Sequence, residues 1–212
     1  MNLENLLVKG SSELGITLDS RKIQKFLSYH ELIKKWNSKI NLTSVTDDSE
    51  IIVKHFLDSL TVSELITDGP NILDIGTGAG FPGVPIAIVR ESLNITVLDS
   101  RGKRIFFINE VLRELDLSNV KTVPGRAEDS NNGVPRINFD YVLTRAVGDI
   151  KEVINLSVPY LNEKGKIILM RGKEGKIEWE RFKNNNLKLL HLREIIVPES
   201  NFMRVLLVLS QK

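Results

Sequence analysis

The segment Leu73-Asp74-Ile75-Gly76-Thr77-Gly78-Ala79-Gly80-Phe81-Pro82-Gly83 constrains this chain more than any other. It opens at the end of a β-rich run at 71–75 and precedes a helical stretch at 84–90. Glycines at alternate positions directly after a strand let the backbone pass close to a ligand and turn tightly into a helix. The free N–H groups and positive dipole end of that helix then face the ligand. Further β-rich runs at 95–98, 120–123, 139–143, 166–170, 194–197 and 205–209 alternate with helical stretches at 102–115, 150–160 and 177–184. Strands alternating with helices predict a parallel sheet covered on both faces. Only Pro198-Glu199-Ser200-Asn201 separates the last two runs, which suits an antiparallel hairpin at the sheet edge. The expected fold is therefore α/β, doubly wound and Rossmann-like, with seven mostly parallel strands.

The chain changes texture near Asp68-Gly69-Pro70. Before that point it reads helical, with Ile23, Phe26, Leu27, His30, Ile33 and Trp36 at i, i+3, i+4, i+7 spacing. Asp19 and Ser20 sit where an N-cap belongs, and Asn41-Leu42-Thr43-Ser44 breaks the helix. A second helix is expected after Asp47-Asp48, carrying Ile51, Ile52, Phe56, Leu57 and Leu60. Residues 1–68 thus read as a small helical cap, and 69–212 as the α/β domain.

Composition removes several chemistries. The 212 residues include no cysteine, which excludes disulfides, thiolate metal sites and a cysteine nucleophile. The histidines, at 30, 55 and 191, lack metal-ligand spacing, so no metal is expected. The N-terminus has no basic region followed by an apolar one, and no apolar run approaches the ~20 residues of a membrane helix. A cytoplasmic protein is expected. With 29 Lys+Arg against 27 Asp+Glu the formal charge is +2, so nucleic-acid contact would need a local patch.

Residues 78–83 satisfy the dinucleotide pattern G-x-G-x-x-G, but the loop begins earlier, at Gly76, with Asp74 just before it. A carboxylate there would crowd a pyrophosphate and suits a ligand that carries positive charge. Asp-x-Gly-x-Gly-x-Gly is the pattern expected for S-adenosylmethionine, which has a sulfonium and an amino group. Asp99, about 20 residues further on, can accept both ribose hydroxyl hydrogens of a nucleoside, or serve as a plain N-cap. Gly125-Arg126-Ala127-Glu128-Asp129 follows the third strand, where an adenine would lie, and reads equally as a helix start.

The fourth strand ends in Leu143-Thr144-Arg145-Ala146, without the Asn/Asp-Pro-Pro-Tyr/Phe of exocyclic-amine methyltransferases. Base C5 methylation needs a cysteine, and there is none. That leaves an acceptor that is already nucleophilic, or one activated in some less recognisable way. Arg101, Arg126, Arg145 and Arg171 follow the ends of successive strands and should share one face, with Lys103 and Arg104 beside them. Such a rim suggests a polyanionic substrate, or no more than a solvated face.

With these pieces assembled, the chain resembles the bacterial 16S ribosomal RNA guanine-N7 methyltransferases of the glucose-inhibited division protein B family. The resemblance covers almost the whole length. Its specific segments are Trp36-Asn37-Ser38-Lys39-Ile40-Asn41-Leu42-Thr43-Ser44 and Lys54-His55-Phe56-Leu57-Asp58-Ser59. It continues through residues 73–83, Leu98-Asp99-Ser100, Lys103-Arg104, Gly125-Arg126-Ala127-Glu128 and Thr144-Arg145-Ala146. The resemblance implies S-adenosylmethionine as cofactor and a guanine at position 527 of 16S rRNA, in the decoding-region loop, as target. It also implies cofactor contacts at Gly76, Phe81, Ala127, Glu128 and Arg145, to which the pattern above adds Asp74, Gly78 and Asp99.

Guanine N7 carries a lone pair and no proton, so it can attack a sulfonium methyl in line without a general base. A donor to guanine O6 could hold the base in register, and Arg145 is the candidate. Lys54, His55, Lys103, Arg104, Arg126 and Arg171 are the candidate RNA contacts, although a lone His such as His55 more often packs or caps a helix. The partner expected is 16S rRNA in a small subunit or its assembly intermediate, met by a monomer. Competing readings are a methyltransferase for another RNA, protein or small-molecule acceptor, a binding module without catalysis, and an NAD-dependent oxidoreductase.

Overall fold

The computed structural model describes residues 2–66, 70–145, 148–182 and 186–212. The chain order is α1 (Leu3–Glu13), α2 (Ser20–Ile40), α3 (Asp48–Ile51), a π-helical segment (Ile52–Leu57), α4 (Asp58–Leu60), β1 (Asn71–Ile75), α5 (Gly83–Val89), β2 (Asn94–Asp99), α6 (Gly102–Glu114), β3 (Val120–Pro124), β4 (Phe139–Arg145), α7 (Ile150–Ser157), β5 (Leu161–Arg171), α8 (Gly175–Arg181), β6 (Leu187–Ile196) and β7 (Met203–Gln211). The seven strands lie in the order β3-β2-β1-β4-β5-β7-β6. The first five run parallel, and β7 and β6 complete the sheet as an antiparallel hairpin. The α/β, mostly parallel sheet expected from the alternation is therefore the one found.

Period-2 alternation assigns each strand residue to one of two cores. Ile72, Ile95, Val97, Tyr141, Leu143, Ile168 and Met170 share a core with α5, α6 and the N-terminal helices. Leu73, Ile75, Leu98, Val142, Ile167 and Leu169 face the other way, toward α7. Within the first core Phe26, Tyr29 and Phe56 of the cap stack around one another, with ring centroids 5.1 and 5.2 Å apart. Tyr29 also meets Phe81 of the glycine loop at 5.7 Å and Phe107 of α6 at 6.4 Å. The cap is thus packed directly onto the loop.

Local signals explain the helix ends. Asp19 and Asp47 cap α2 and α3 through 2.8 and 2.9 Å bonds from the amides of Lys22 and Glu50. Asn41 ends α2 in the left-handed region, φ 46°. Some boundaries differ from the sequence expectation. The strand expected at 194–197 already begins at Leu187, and the one expected at 166–170 begins at Leu161. The helix expected at 177–184 spans Gly175–Arg181, and Asn184 lies outside the described residues, as do Asp68, Gly69 and Ala146.

Candidate functional site

β1 delivers the glycine loop to the edge where the parallel strands end. Its backbone turns at Gly76 (φ 70°), Gly78 (φ 64°) and Gly80 (φ 100°), where a side chain would be strained. The amides of Gly76 and Thr77 bond back to the Leu98 carbonyl at 2.8 and 3.2 Å. Asp74, fully buried, ties the loop's two ends together. Its Oδ2 accepts from Thr77 Oγ1 at 2.6 Å and from the Gly83 amide at 2.8 Å. A Cβ at Gly83 would lie 2.9 Å from that oxygen, so the close approach requires glycine. A Cβ at Gly78, in contrast, would meet only open space.

Asp74 Oδ1 has no hydrogen-bond partner among the described residues. Burial pushes this carboxyl up to about 6, against the two hydrogen bonds that favour its charged form. An acceptor left unpaired inside a glycine cradle fits a cationic, donor-bearing group, as the methionine end of S-adenosylmethionine is.

Next to the loop lies a cavity of about 440 Å³, lined by Gly76, Asp99, Ser100, Gly125, Ala127 and Glu128 among others. Asp99, the last residue of β2, is nearly buried. Its Oδ2 accepts from the Gly78 amide at 3.0 Å and from Arg104 at 3.2 Å, while Oδ1 accepts from the Arg101 amide at 2.8 Å. The carboxylate therefore organises both the glycine loop and the turn into α6, and it retains lone pairs toward the cavity. Ala127 is held by its carbonyl, which accepts from Tyr160 at 2.8 Å. Glu128 is exposed and 3.5 Å from Arg126. A larger trough of about 950 Å³ abuts this cavity at Ala127 and Glu128, but neither the glycine loop nor Asp99 reaches it.

On the cap side the site is closed by charge and aromatic rings. Arg145, the last residue of β4, donates through Nη1 to Asp58 Oδ2 at 3.0 Å and to the Lys54 carbonyl at 3.2 Å. Arg204 of β7 grips the same buried carboxylate from both Nε (2.7 Å) and Nη2 (2.6 Å). Two guanidinium groups thus share one carboxylate, leaving surplus positive charge beside the site. Arg145 lies over the Phe81 ring at 4.9 Å. Its Nε and Nη2 make no hydrogen bond among the described residues.

His55 stacks on Phe81 at 4.6 Å and 15°. Its Nε2 meets Thr43 Oγ1 at 2.7 Å, and Nδ1 has no partner among the described residues. Burial, then the charge of Arg145, pushes its pKa down to about 4. A buried neutral imidazole has little to offer a phosphate, so the packing alternative is the one its surroundings favour. Thr43 is in turn clamped by Asn37, which accepts its amide and donates to its carbonyl, both at 2.9 Å. The line Asn37–Thr43–His55–Phe81 gives the two N-terminal motifs a common purpose: they set the roof of the glycine loop.

The candidate RNA contacts divide into two sets. Lys103 and Arg126 are exposed, and Lys54 is half-exposed with Glu50 at 2.7 Å. Arg104 is turned to Asp99, while Arg171 is engaged by Glu178 at 2.7 Å and by the Gly148 carbonyl at 3.1 Å. Sequence reasoning missed Arg204 and gave Asp58 no role. A lone arginine in the apolar run of β7 was the available signal. Tyr29, whose hydroxyl donates to the Ala79 carbonyl in the loop, was missed as well; its one sequence signal is its place between Phe26 and Ile33 on the apolar helix face.

This sheet order, with a glycine loop after β1 and an acid closing β2, defines the class I S-adenosylmethionine-dependent methyltransferase architecture. Among solved structures, the fold is similar to an Aquifex aeolicus SAM-dependent methyltransferase, with TM-score 0.59 and 15% identity, covering 80% of this chain and 96% of that one. It is also similar to M. jannaschii TYW2 in complex with AdoMet, with TM-score 0.57 and 14% identity over 73% and 75% of the two chains.

The model of the GidB family, rRNA small subunit methyltransferase G, matches residues 22–202. The chain belongs to this family. It is 36% identical over 220 residues to the ribosomal RNA small subunit methyltransferase G of Clostridium beijerinckii, covering 100% of this chain and 91% of that protein. The Clostridium perfringens (strain 13) protein of the same name is 42% identical over 175 residues, or 81% and 73% of the two.

Proposed function

We propose that this chain methylates N7 of the guanine at position 527 of 16S rRNA, with S-adenosylmethionine as donor. The observation that carries the reading is membership of the rRNA methyltransferase G family across most of the chain. The site supports it independently. The cofactor, when bound, supplies a methyl group on a positively charged sulfur. Asp74 and the loop at Gly76 and Gly78 would hold its cationic methionine end, and Asp99 would accept from its ribose hydroxyls. Ala127 and Glu128 would flank the base, and Phe81 and Arg145 would close the cap side.

Guanine N7 needs no proton removed, and His55, buried with its pKa pushed down to about 4, is not needed as a base. What the chain must do is align the acceptor and exclude water. Arg145 holds Nη1 on Asp58 and would direct Nε or Nη2 to guanine O6. Residues 1–68 form the cap from which RNA is met, and 69–212 the methyltransferase domain, in a cytoplasmic monomer. No helix of the described residues is long and apolar enough to cross a membrane.

The test is transfer of labelled methyl from S-adenosylmethionine to unmethylated small subunits and to protein-free 16S RNA, with the nucleoside product identified. N7-methylguanosine supports the reading, and the better acceptor identifies the assembly state used. Another methylated nucleoside, protein or small molecule would replace the target and keep the cofactor.

A further inference from the structure

The motif beginning at Trp36 has one element that the loop-roof line through Asn37 does not use, and that is the indole itself. Trp36 is half-buried, 6.0 Å from the buried Phe107 and 5.6 Å from Phe106, with a tilt of 54° to the latter. Phe106 is 57% exposed, and it is the only aromatic among the large exposed hydrophobic side chains of the described residues. Leaving a phenyl ring on a helix surface forgoes burial that would otherwise favour folding.

Three lysines surround this aromatic pair. Lys39 Nζ lies 5.8 Å over the Trp36 ring. Lys35 is exposed beside Trp36, and Lys103 is exposed one turn before Phe106. None of these three lysines makes a salt bridge among the described residues. Of the nearby acids, Glu110 pairs with Arg113 at 2.6 Å and Asp48 with Lys34 at 2.8 Å, while the exposed Glu31 lies 3.2 Å from the His30 ring.

The ledge is linked to the candidate site through neighbouring residues. Arg104, in the same turn of α6 as Phe106, reaches Asp99 at 3.2 Å. Asn37, next to Trp36, begins the line that ends on Phe81. An accessible aromatic face framed by unpaired ammonium groups is what an unstacked base with flanking phosphates requires. An apolar protein partner would leave those lysines buried without counter-charge.

We propose that Phe106 and Trp36 form a stacking ledge for an unpaired base of the RNA substrate, with Lys39 and Lys103 meeting the adjacent phosphates. The inference rests on the RNA reading of the site and adds residues that reading does not name. Because Phe106 is exposed, its variants should keep the fold, and thermal unfolding checks that they do.

Equilibrium binding of protein-free 16S RNA is measured for the unaltered protein and for Phe106→Leu and Phe106→Trp, each with S-adenosylhomocysteine present. Phe106→Leu keeps apolar bulk and removes the π face, so its RNA Kd should rise roughly tenfold, while Phe106→Trp retains binding. Cofactor affinity should be unchanged in both. Lys39→Gln with Lys103→Gln should flatten the salt dependence, by about 0.7 in log–log slope for each phosphate that is no longer neutralised.

Unchanged RNA affinity in Phe106→Leu would overturn the ledge while leaving the methylation reading intact. A loss seen only with assembled subunits and not with protein-free RNA would overturn it in favour of a protein contact. If Phe106→Leu loses RNA but the unaltered protein makes a nucleoside other than N7-methylguanosine, the ledge stands and the assigned reaction falls.

Discussion

Asp74 is the residue whose chemistry has the most direct consequence. Its carboxyl titrates near 6, above the ordinary value of 3.8, because burial disfavours the charged form. A cationic ligand binds the ionised form, so affinity for S-adenosylmethionine should fall as pH drops through about 6. Asp74→Asn should bind the cofactor more weakly and lose this dependence. Calorimetric titration from pH 7.5 to 5.5 checks both, and a flat profile in the unaltered protein would contradict the assignment. Arg145 makes a different prediction. Asp58 keeps its two bonds from Arg204 when Arg145 is replaced, so Arg145→Ala should remain folded. On the proposed function Arg145 supplies a donor to the acceptor base, so its loss should slow single-turnover methyl transfer roughly 100-fold. An unchanged rate would remove guanine positioning from its duties.

At the scale of elements, the π-helical segment Ile52–Leu57 is what aims His55 at Phe81. The extra residue per turn re-registers side chains that an α-helix would present differently. His55 also carries a stability signature. Its pKa is depressed from 6.5 to about 4, so the unfolded chain binds a proton that the native state refuses. Native stability is therefore lost as pH falls from the unfolded value toward the folded one. His55→Phe should keep the stack on Phe81 and remove that slope. Relative to the unaltered protein it should gain about 2 kcal/mol between pH 7 and pH 5, measured by urea unfolding. Asp74, with its raised pKa, acts in the opposite sense over much of the same window, so the comparison must be made between variants at each pH.

The elements also mark what sequence could disclose. β1, the glycine loop, the cap at Asp19 and the helix start after Asp47-Asp48 were legible because strand, turn and cap chemistry are local. β6 was placed too late, at 194. Only Leu187 of its ten residues is buried, so the edge strand carries no continuous apolar run to announce it. The Asp58–Arg204 pair spans 146 residues, and no local pattern encodes such a contact.

Over the whole molecule a formal charge of +2 gives little steering, and only the arrangement of charge can matter. The arginines expected as a rim do not all serve one. Arg145 is anchored on Asp58, Arg171 on Glu178 and Arg104 on Asp99, which leaves Arg101, Lys103 and Arg126 exposed along the β2–β3 side. Sequence could align these residues at the strand ends, since parallel topology dictates that. It could not foresee which would be neutralised, because their partners come from other elements. On the proposed function, RNA approaches over α6 and the end of α2, toward the cavity that Asp99 lines.

Attack by one ring nitrogen at one position can be read directly. Small-subunit RNA assembled with 7-deazaguanine at position 527 differs from the normal acceptor by N7 alone. One methyl should be incorporated per normal RNA and none in the 7-deaza form, with both bound to similar extents. Equal incorporation into the two RNAs would refute transfer to N7.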